Sequence, residues 1–258
     1  MSAVSNELLQ KIKEAKEAYN KYMASQQGIE LPEAKITIEK SGENRTDVHM
    51  DVSYRGTDYH FEAIQEEHLE DIHAYLNSQP IVREKYTDGK PVAFQATTGR
   101  VNTFVNRFKS DCADGLHLYS GFVVSDAETE EFLGIANSGG STKEAHAEIA
   151  YLNRVDAWSA ATPEIIKEYA IPKKDKLDKR YSGIGTVEVS TLLQYSAVLK
   201  KEGYKVRGKD LEGVVATARV DHPGSWKACA KSGMEVMDID SNPNYGPELR
   251  YQLRKSIP

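Results

Sequence analysis

Two glycines one residue apart, Gly183 and Gly185, head a strongly apolar helical pattern in which Val189, Leu192, Leu193, Ser196 and Leu199 share one face. The pattern ends at Gly203, and a run rich in β-branched residues, Leu211–Val220, follows it. A strand-like run, Ala145–Leu152, lies upstream. Strand, helix and strand in that order belong in a mixed sheet covered by helices. The glycine loop also has a chemical meaning. The first turn of a helix leaves N–H groups without partners, and the macrodipole makes that end positive. Glycine lets backbone come close to an oxyanion and take φ > 0. The loop Arg180-Tyr181-Ser182-Gly183-Ile184-Gly185 therefore reads as an anion site, with Lys173, Lys174, Lys176, Lys179 and Arg180 adding positive charge nearby.

The rest of the chain supplies the other layers. Leu8, Ile12, Ala15, Tyr19 and Tyr22 recur at helical spacing, and Gly28 and Pro32 end that helix. Lys35–Lys40 and Asp47–Tyr54 alternate around Ser41-Gly42-Glu43-Asn44, the signature of a β-hairpin. Tyr59–Ile64 reads as a strand, and Leu69, Ile72, His73 and Leu76, then Val101, Phe104, Val105 and Phe108, read as helix faces. Leu116–Val124 and Glu131–Asn137 form a second expected hairpin. Pro163–Tyr169 is a short helix inside a long connection, Ser225–Ser232 a helix stopped by Gly233, and Glu235–Ile239 and Leu249–Arg254 the closing strands. The expected fold is α/β of the α+β kind: a mixed, mostly antiparallel sheet with helices on both faces, plus an N-terminal helix and hairpin. Residues 1–57 form the extension and residues 58–258 the main domain.

Composition narrows the function. A net charge of −6 argues against nucleic acid as a partner. No run approaches the ~18 apolar residues that cross a bilayer, and the start lacks a signal-peptide pattern, so a cytoplasmic protein is expected. Cys112 and Cys229 stand alone, without metal spacing or a disulfide framework, which fits a reducing compartment and no metal. A dinucleotide fingerprint needs a third glycine where Glu188 stands, and a P-loop needs Gly-Lys-Ser/Thr where Gly185-Thr186-Val187 stands. His146-Ala147-Glu148 mimics the H-x-E of zinc deaminases, but the later P-C-x-x-C is missing. Trp226, Phe104 and Phe108 read as core, and Cys229, beside Trp226, as a buried thiol.

The loop resembles motif A of the GNAT superfamily of N-acetyltransferases, [QR]-x-x-G-x-[GA] between a strand and a helix. The resemblance extends from Tyr59 to Arg254. Ala147-Glu148-Ile149-Ala150-Tyr151-Leu152 is similar to the A-E-I-G-Y-x strand of the branch holding ribosomal-protein N-terminal and spermidine acetyltransferases. Gly185-Thr186-Val187-Glu188-Val189 resembles its G-x-x-x-E-A helix start, and Ser225 with Lys231-Ser232-Gly233-Met234 its N-x-x-S and K-x-G-F. His222 stands where asparagine is usual, Ala150 where glycine is, and Cys229 where other branches carry a tyrosine.

The resemblance implies an enzyme, an acyltransferase that moves an acetyl or other acyl group from acyl-CoA to an amine. The amine belongs to a small molecule or to a protein or peptide, and attacks the thioester directly. The resemblance places the CoA pyrophosphate on Arg180, Tyr181, Ser182, Gly183, Ile184, Gly185 and Thr186, and the pantetheine beside Ala150 and Tyr151, near which a backbone N–H would stabilise the oxyanion. Glu148 is the candidate base, with His146 a second candidate on the same strand face. Ser225 is the candidate that assists the leaving thiolate. No metal, nucleic acid or membrane is expected, and a homodimer is compatible with this reading. The other reading is a catalytically inactive GNAT-fold module that binds CoA or a protein partner. The connection Asn153–Lys179 is long enough to border the acceptor site.

Overall fold

The computed structural model describes residues 6–26, 28–87, 89–143, 145–172, 175–179, 181–242 and 246–258. Helix α1 (Asn6–Ala24) leads into strands β1 (Ala34–Lys40), β2 (Thr46–Tyr54) and β3 (Thr57–Ala63). A continuous helical run follows: a 3₁₀ turn (Glu66–His68), α2 (Leu69–Asp71) and a π turn (Ile72–Asn77). Then come α3 (Pro80–Tyr86) and α4 (Phe94–Arg107), strands β4 (Gly121–Asp126), β5 (Phe132–Gly140) and β6 (His146–Asn153), and the short α5 (Pro163–Glu168). Helix α6 (Ile184–Lys201) precedes the small ribbon β7 (Lys205–Val206) and β8 (Lys209–Asp210). Strand β9 (Gly213–Arg219), helix α7 (Pro223–Lys231), β10 (Glu235–Asn242) and β11 (Gly246–Ser256) complete the chain.

Among the described residues, nine strands form one sheet in the order β1-β2-β3-β4-β5-β6-β9-β11-β10. All neighbours run antiparallel except β6 and β9. Their parallel ladder has three rungs: His146 with Gly213, Ala147 with Val214 and Glu148 with Val215. The mixed, mostly antiparallel sheet is the one expected, and it has an apolar core on each face. One core sets the sheet, through residues such as Ala147, Ile149, Val214 and Ala216, against α6, α7 and α1. The other packs Val123, Ile135 and Leu152 under Ile72, Leu76, Val82, Val101 and Phe104.

The N-terminal segment continues the same sheet. Strands β1 and β2 pair from Ala34–Val52 to Lys40–Thr46, and β2 pairs with β3. The β2–β3 turn is the two residues Arg55 and Gly56, both left-handed with φ of 53° and 76°. That is the twist a tight hairpin favours. Helix α1 lies on α7 and β10: Tyr19 donates to the Met234 carbonyl, and the Tyr251 hydroxyl donates to the Ala15 carbonyl at 2.8 Å. Gln194 of α6 accepts from the Ala34 N–H at 3.0 Å and donates to the Pro32 carbonyl at 2.9 Å, fixing the entry to β1.

Two features depart from the sequence expectations. The strand expected from Leu116 begins only at Gly121, because Leu118 takes a left-handed φ of 67° that no strand allows. Helix α3 was not foreseen; Pro80 opens it at the first helical position, where the missing N–H costs nothing.

The long connection after β6 is anchored by a buried ion pair. Arg154 and Asp156, 4% and 3% exposed, meet through two hydrogen bonds of 3.1 and 2.8 Å. Arg154 also donates to the Phe132 carbonyl at 3.3 Å and lies 4.0 Å over the Tyr75 ring. Asp156 accepts the Leu177 N–H at 3.0 Å. Removing one partner of such a pair leaves a buried charge uncompensated and costs about 3–5 kcal/mol. Arg154→Met is expected to lower the melting temperature by on the order of 10 °C. Arg154→Met combined with Asp156→Leu should recover much of that loss. Thermal melts of both variants check this.

Candidate functional site

Beyond the Glu148–Val215 rung, β6 and β9 part, and a cleft of about 440 Å³ opens between them. Its walls are Ala150–Asn153 on one strand and Ala216, Thr217 and Arg219 on the other. The head of α6 meets the cleft: Tyr181, Ser182, Gly183, Ile184, Gly185 and Thr186 all line it, while Arg180 lies outside the described residues. Gly183 caps this helix with a left-handed φ of 85°. A Cβ there would lie 3.0 Å from the Tyr54 ring, and one on Gly185 would lie 3.0 Å from the Tyr151 hydroxyl. The left-handed φ favours glycine at 183, and at 185 a Cβ would press on the Tyr151 hydroxyl.

The cleft lining contains six lysines and arginines and, among the described residues, no aspartate or glutamate. Arg55, Lys227 and Lys231 form one group. Burial, then the charges of Arg55 and Lys227, lower the pKa of Lys231. Lys85, Arg219 and Arg250 form the other, around His222. The lysine-rich stretch before the glycine loop contributes differently from what the sequence suggests. Lys179 pairs with buried Asp126 at 2.6 Å and Lys176 donates to the Ile166 carbonyl at 3.2 Å. Neither lines the cleft, and Lys173 and Lys174 lie outside the described residues. Among the described residues, charge near the loop comes from the β2–β3 turn and from α7.

Tyr151, Ser225 and Cys229 come together in the cleft. Burial pushes the Tyr151 phenol well above its ordinary pKa, the nearby Cys229 adds to this, and a hydrogen bond with Ser225 partly offsets it. Ser225 does not cap α7: the cap is His222, and Ser225 sits inside the first turn with its N–H on the His222 carbonyl at 3.1 Å. Cys229 is buried and its thiol is pushed up to about 12, so it is a poor nucleophile. Behind them, Glu188 of α6 is fully buried and accepts from Asn153 at 2.7 Å; burial pushes its carboxyl well above the usual range.

Glu148 stands on the last rung before the strands part. It lines not this cleft but an adjoining cavity of about 270 Å³, together with Arg207 and Arg254. Thr217 lines both, so the two cavities share a wall. His146 is buried at the start of β6 and lines neither. The long connection reaches the cleft through Trp158, Ser159 and Ala160. The sequence reading overlooked the Tyr151 side chain and Arg55, Lys85, Arg219 and Arg250. The two strand arginines carry a legible signal, a charge at the end of an otherwise apolar or alternating run; the others carry none.

No family model matches this sequence, and no curated protein is similar to it. Solved structures do share its fold. An acetyltransferase of the GNAT family from Bacillus anthracis gives a TM-score of 0.52 at 15% identity, over 77% of this chain and 94% of that one. Spermidine N-acetyltransferase from Vibrio cholerae, solved in complex with CoA and spermine, gives 0.51 at 15% identity over 77% and 95%. Ribosomal-protein-S5-alanine acetyltransferase from Vibrio fischeri gives 0.52 at 13% identity over 80% and 96%. The chain has the GNAT acetyltransferase fold.

The cleft makes its own pH prediction. Burial first, then the charge of Lys85, lowers His222 from 6.5 to about 4. Between those values the unfolded chain binds a proton that the folded chain refuses, so stability present above pH 6.5 is lost as pH falls towards 4. His222→Asn should flatten that part of the profile. Urea unfolding at pH 7.5 and 5 (about one unit outside and inside the window) measures the difference.

Proposed function

We propose that this chain is an acyl-CoA-dependent N-acyltransferase. The observation that carries the reading is the pair of glycines at the head of α6, facing a gap between two parting strands. The site fits the donor chemically. Gly183 and Gly185 carry no side chain of their own at the helix head, the helix end is positive, and Arg55, Lys227 and Lys231 add cationic charge for phosphates. Ser182–Thr186 would hold the pyrophosphate, joined in this reading by Arg180. Acetyl-CoA supplies the acyl group as a thioester.

The chain's own residues do the rest. Past the last rung, Ala150 and Tyr151 present main chain to the cleft and orient the donor, with an N–H directed at the carbonyl oxygen. Glu148 takes the proton of the attacking ammonium, through water across the Thr217 wall; His146, buried away from both cavities, is the weaker candidate. The hydroxyls of Ser225 and Tyr151 donate towards the leaving sulfur. The high pKa of Cys229 favours direct attack by the amine over a covalent enzyme intermediate. An amine acceptor agrees with the neighbours named for spermidine and for a ribosomal protein. No described helix is long and apolar enough to cross a membrane, and two free cysteines suit the cytoplasm.

Two experiments test this. Gly183→Asp puts a side chain and a negative charge at the helix head, and calorimetry should show acetyl-CoA binding abolished; unchanged affinity would remove the reading. Glu148→Gln should keep acetyl-CoA affinity while turnover falls by roughly 10²–10⁴-fold. Near-normal turnover in that variant would move the base elsewhere.

A further inference from the structure

Three of the six cations in the cleft are accounted for by the phosphates of the donor. The other three are not. Arg219 of β9 and Arg250 of β11 are directly opposed across the ladder and are 8% and 3% exposed. Like charges in that position destabilise a sheet, and burying guanidinium groups costs more still. The fold nevertheless draws a third cation to them. Arg219 donates to the Glu84 carbonyl at 2.8 Å and Arg250 to the Tyr86 carbonyl at 3.4 Å, so the pair brackets Lys85 at the end of α3.

Capping the last carbonyls of α3 accounts for part of this arrangement. It does not account for all three side chains also lining the cleft. Asp221 takes two N–H groups of Arg219 at 2.8 and 2.6 Å, and Glu84 lies 3.4 Å from the Lys85 ammonium, but neither carboxylate lines the cleft. The field is felt locally: after burial, Lys85 is the leading charge that keeps His222 unprotonated, Asp221 opposes it, and Arg219 and Arg250 add to it. Trp158 stands across from His222 with ring centroids 6.3 Å apart and closes this end. Arg219, Thr217 and Ala150 line this cleft, and Glu148 lies just beyond the wall that Thr217 shares.

We infer that the acceptor is a small amine that also carries an anionic group, a carboxylate or a phosphate, bound by Lys85, Arg219 and Arg250. This rests on the acyltransferase reading of the cleft. Lys85 suits either anion as a point charge, and Arg219 and Arg250 reinforce its field, the fork of Arg219 being held by Asp221. A positive site of this kind repels a polyamine, although one protein of the same fold is a spermidine acetyltransferase.

The test uses the full chain, acetyl-CoA and matched acceptors. Phosphoethanolamine is compared with ethanolamine, β-alanine with β-alanine amide, and spermidine is added as the polycation. At least one anionic member should exceed its neutral partner by about tenfold or more in kcat/KM, and which pair does so separates phosphate from carboxylate. Lys85→Gln, a half-buried helix position, should cut that ratio about tenfold with acetyl-CoA affinity unchanged. Arg250→Gln, checked for folding first, should do the same. Preference for spermidine or for the neutral amines overturns the proposal and leaves the acyltransferase reading intact. So does a ratio that both folded variants leave unchanged. Calorimetry with phosphoethanolamine and β-alanine separates the remaining cases. Binding that Lys85→Gln weakens, without acyl transfer to any amine, sustains the anion site and removes the acyltransferase reading. Neither binding nor turnover with the anionic amines overturns the anion site.

Discussion

The three-rung parallel ladder between β6 and β9 is the constraint on which the site depends. A sheet that parts in its middle exposes backbone groups on two facing strands, and such groups need partners. The gap is bounded rather than open. Tyr151 fills its α6 side, the head of α6 covers one mouth, and α7 lies along it through Ser225, Ala228 and Cys229. Opening the sheet there creates a slot with polar main chain on both walls and a positive helix end above it. The glycine loop has chemical meaning only because that slot exists.

The N-terminal segment takes part in this arrangement. Tyr54 packs so closely on Gly183 that a methyl group could not enter between them, and Arg55 reaches the same cleft from the adjoining turn. Helix α1 packs on α7 through Tyr19, Tyr22 and Trp226, with Tyr22 edge-on to Trp226 at 5.3 Å. Lys227 lies over both Tyr22 and Trp226. The same helix therefore positions Lys227 and Ser225, and α1 backs it from outside.

Much of this was legible beforehand. Alternating runs marked β1 and β2 to within a residue, apolar and β-branched runs marked β5, β6 and β9 to within three, and an apolar helix face marked α6. Buried Trp226 and Cys229 were legible from apolar context alone. Helix α3 was not: seven residues from Pro80 carry too few turns for a periodicity to show, yet Lys85 and Tyr86 of that helix line the cleft. Lysine density before the glycines did not reveal that Lys179 pairs with Asp126, a residue of another strand that no local pattern shows.

The sequence by itself determined the elements and their order, and with them the glycine loop at the head of α6, because backbone preference and hydrophobic period act over a few neighbouring residues. Tertiary structure alone decided which charges meet. Arg55, Lys227 and Lys231 gather at one end of the cleft, and Lys85, Arg219 and Arg250 at the other, from segments up to 176 residues apart. Electrostatic coupling depends on distance in space and on burial, and chain order encodes neither.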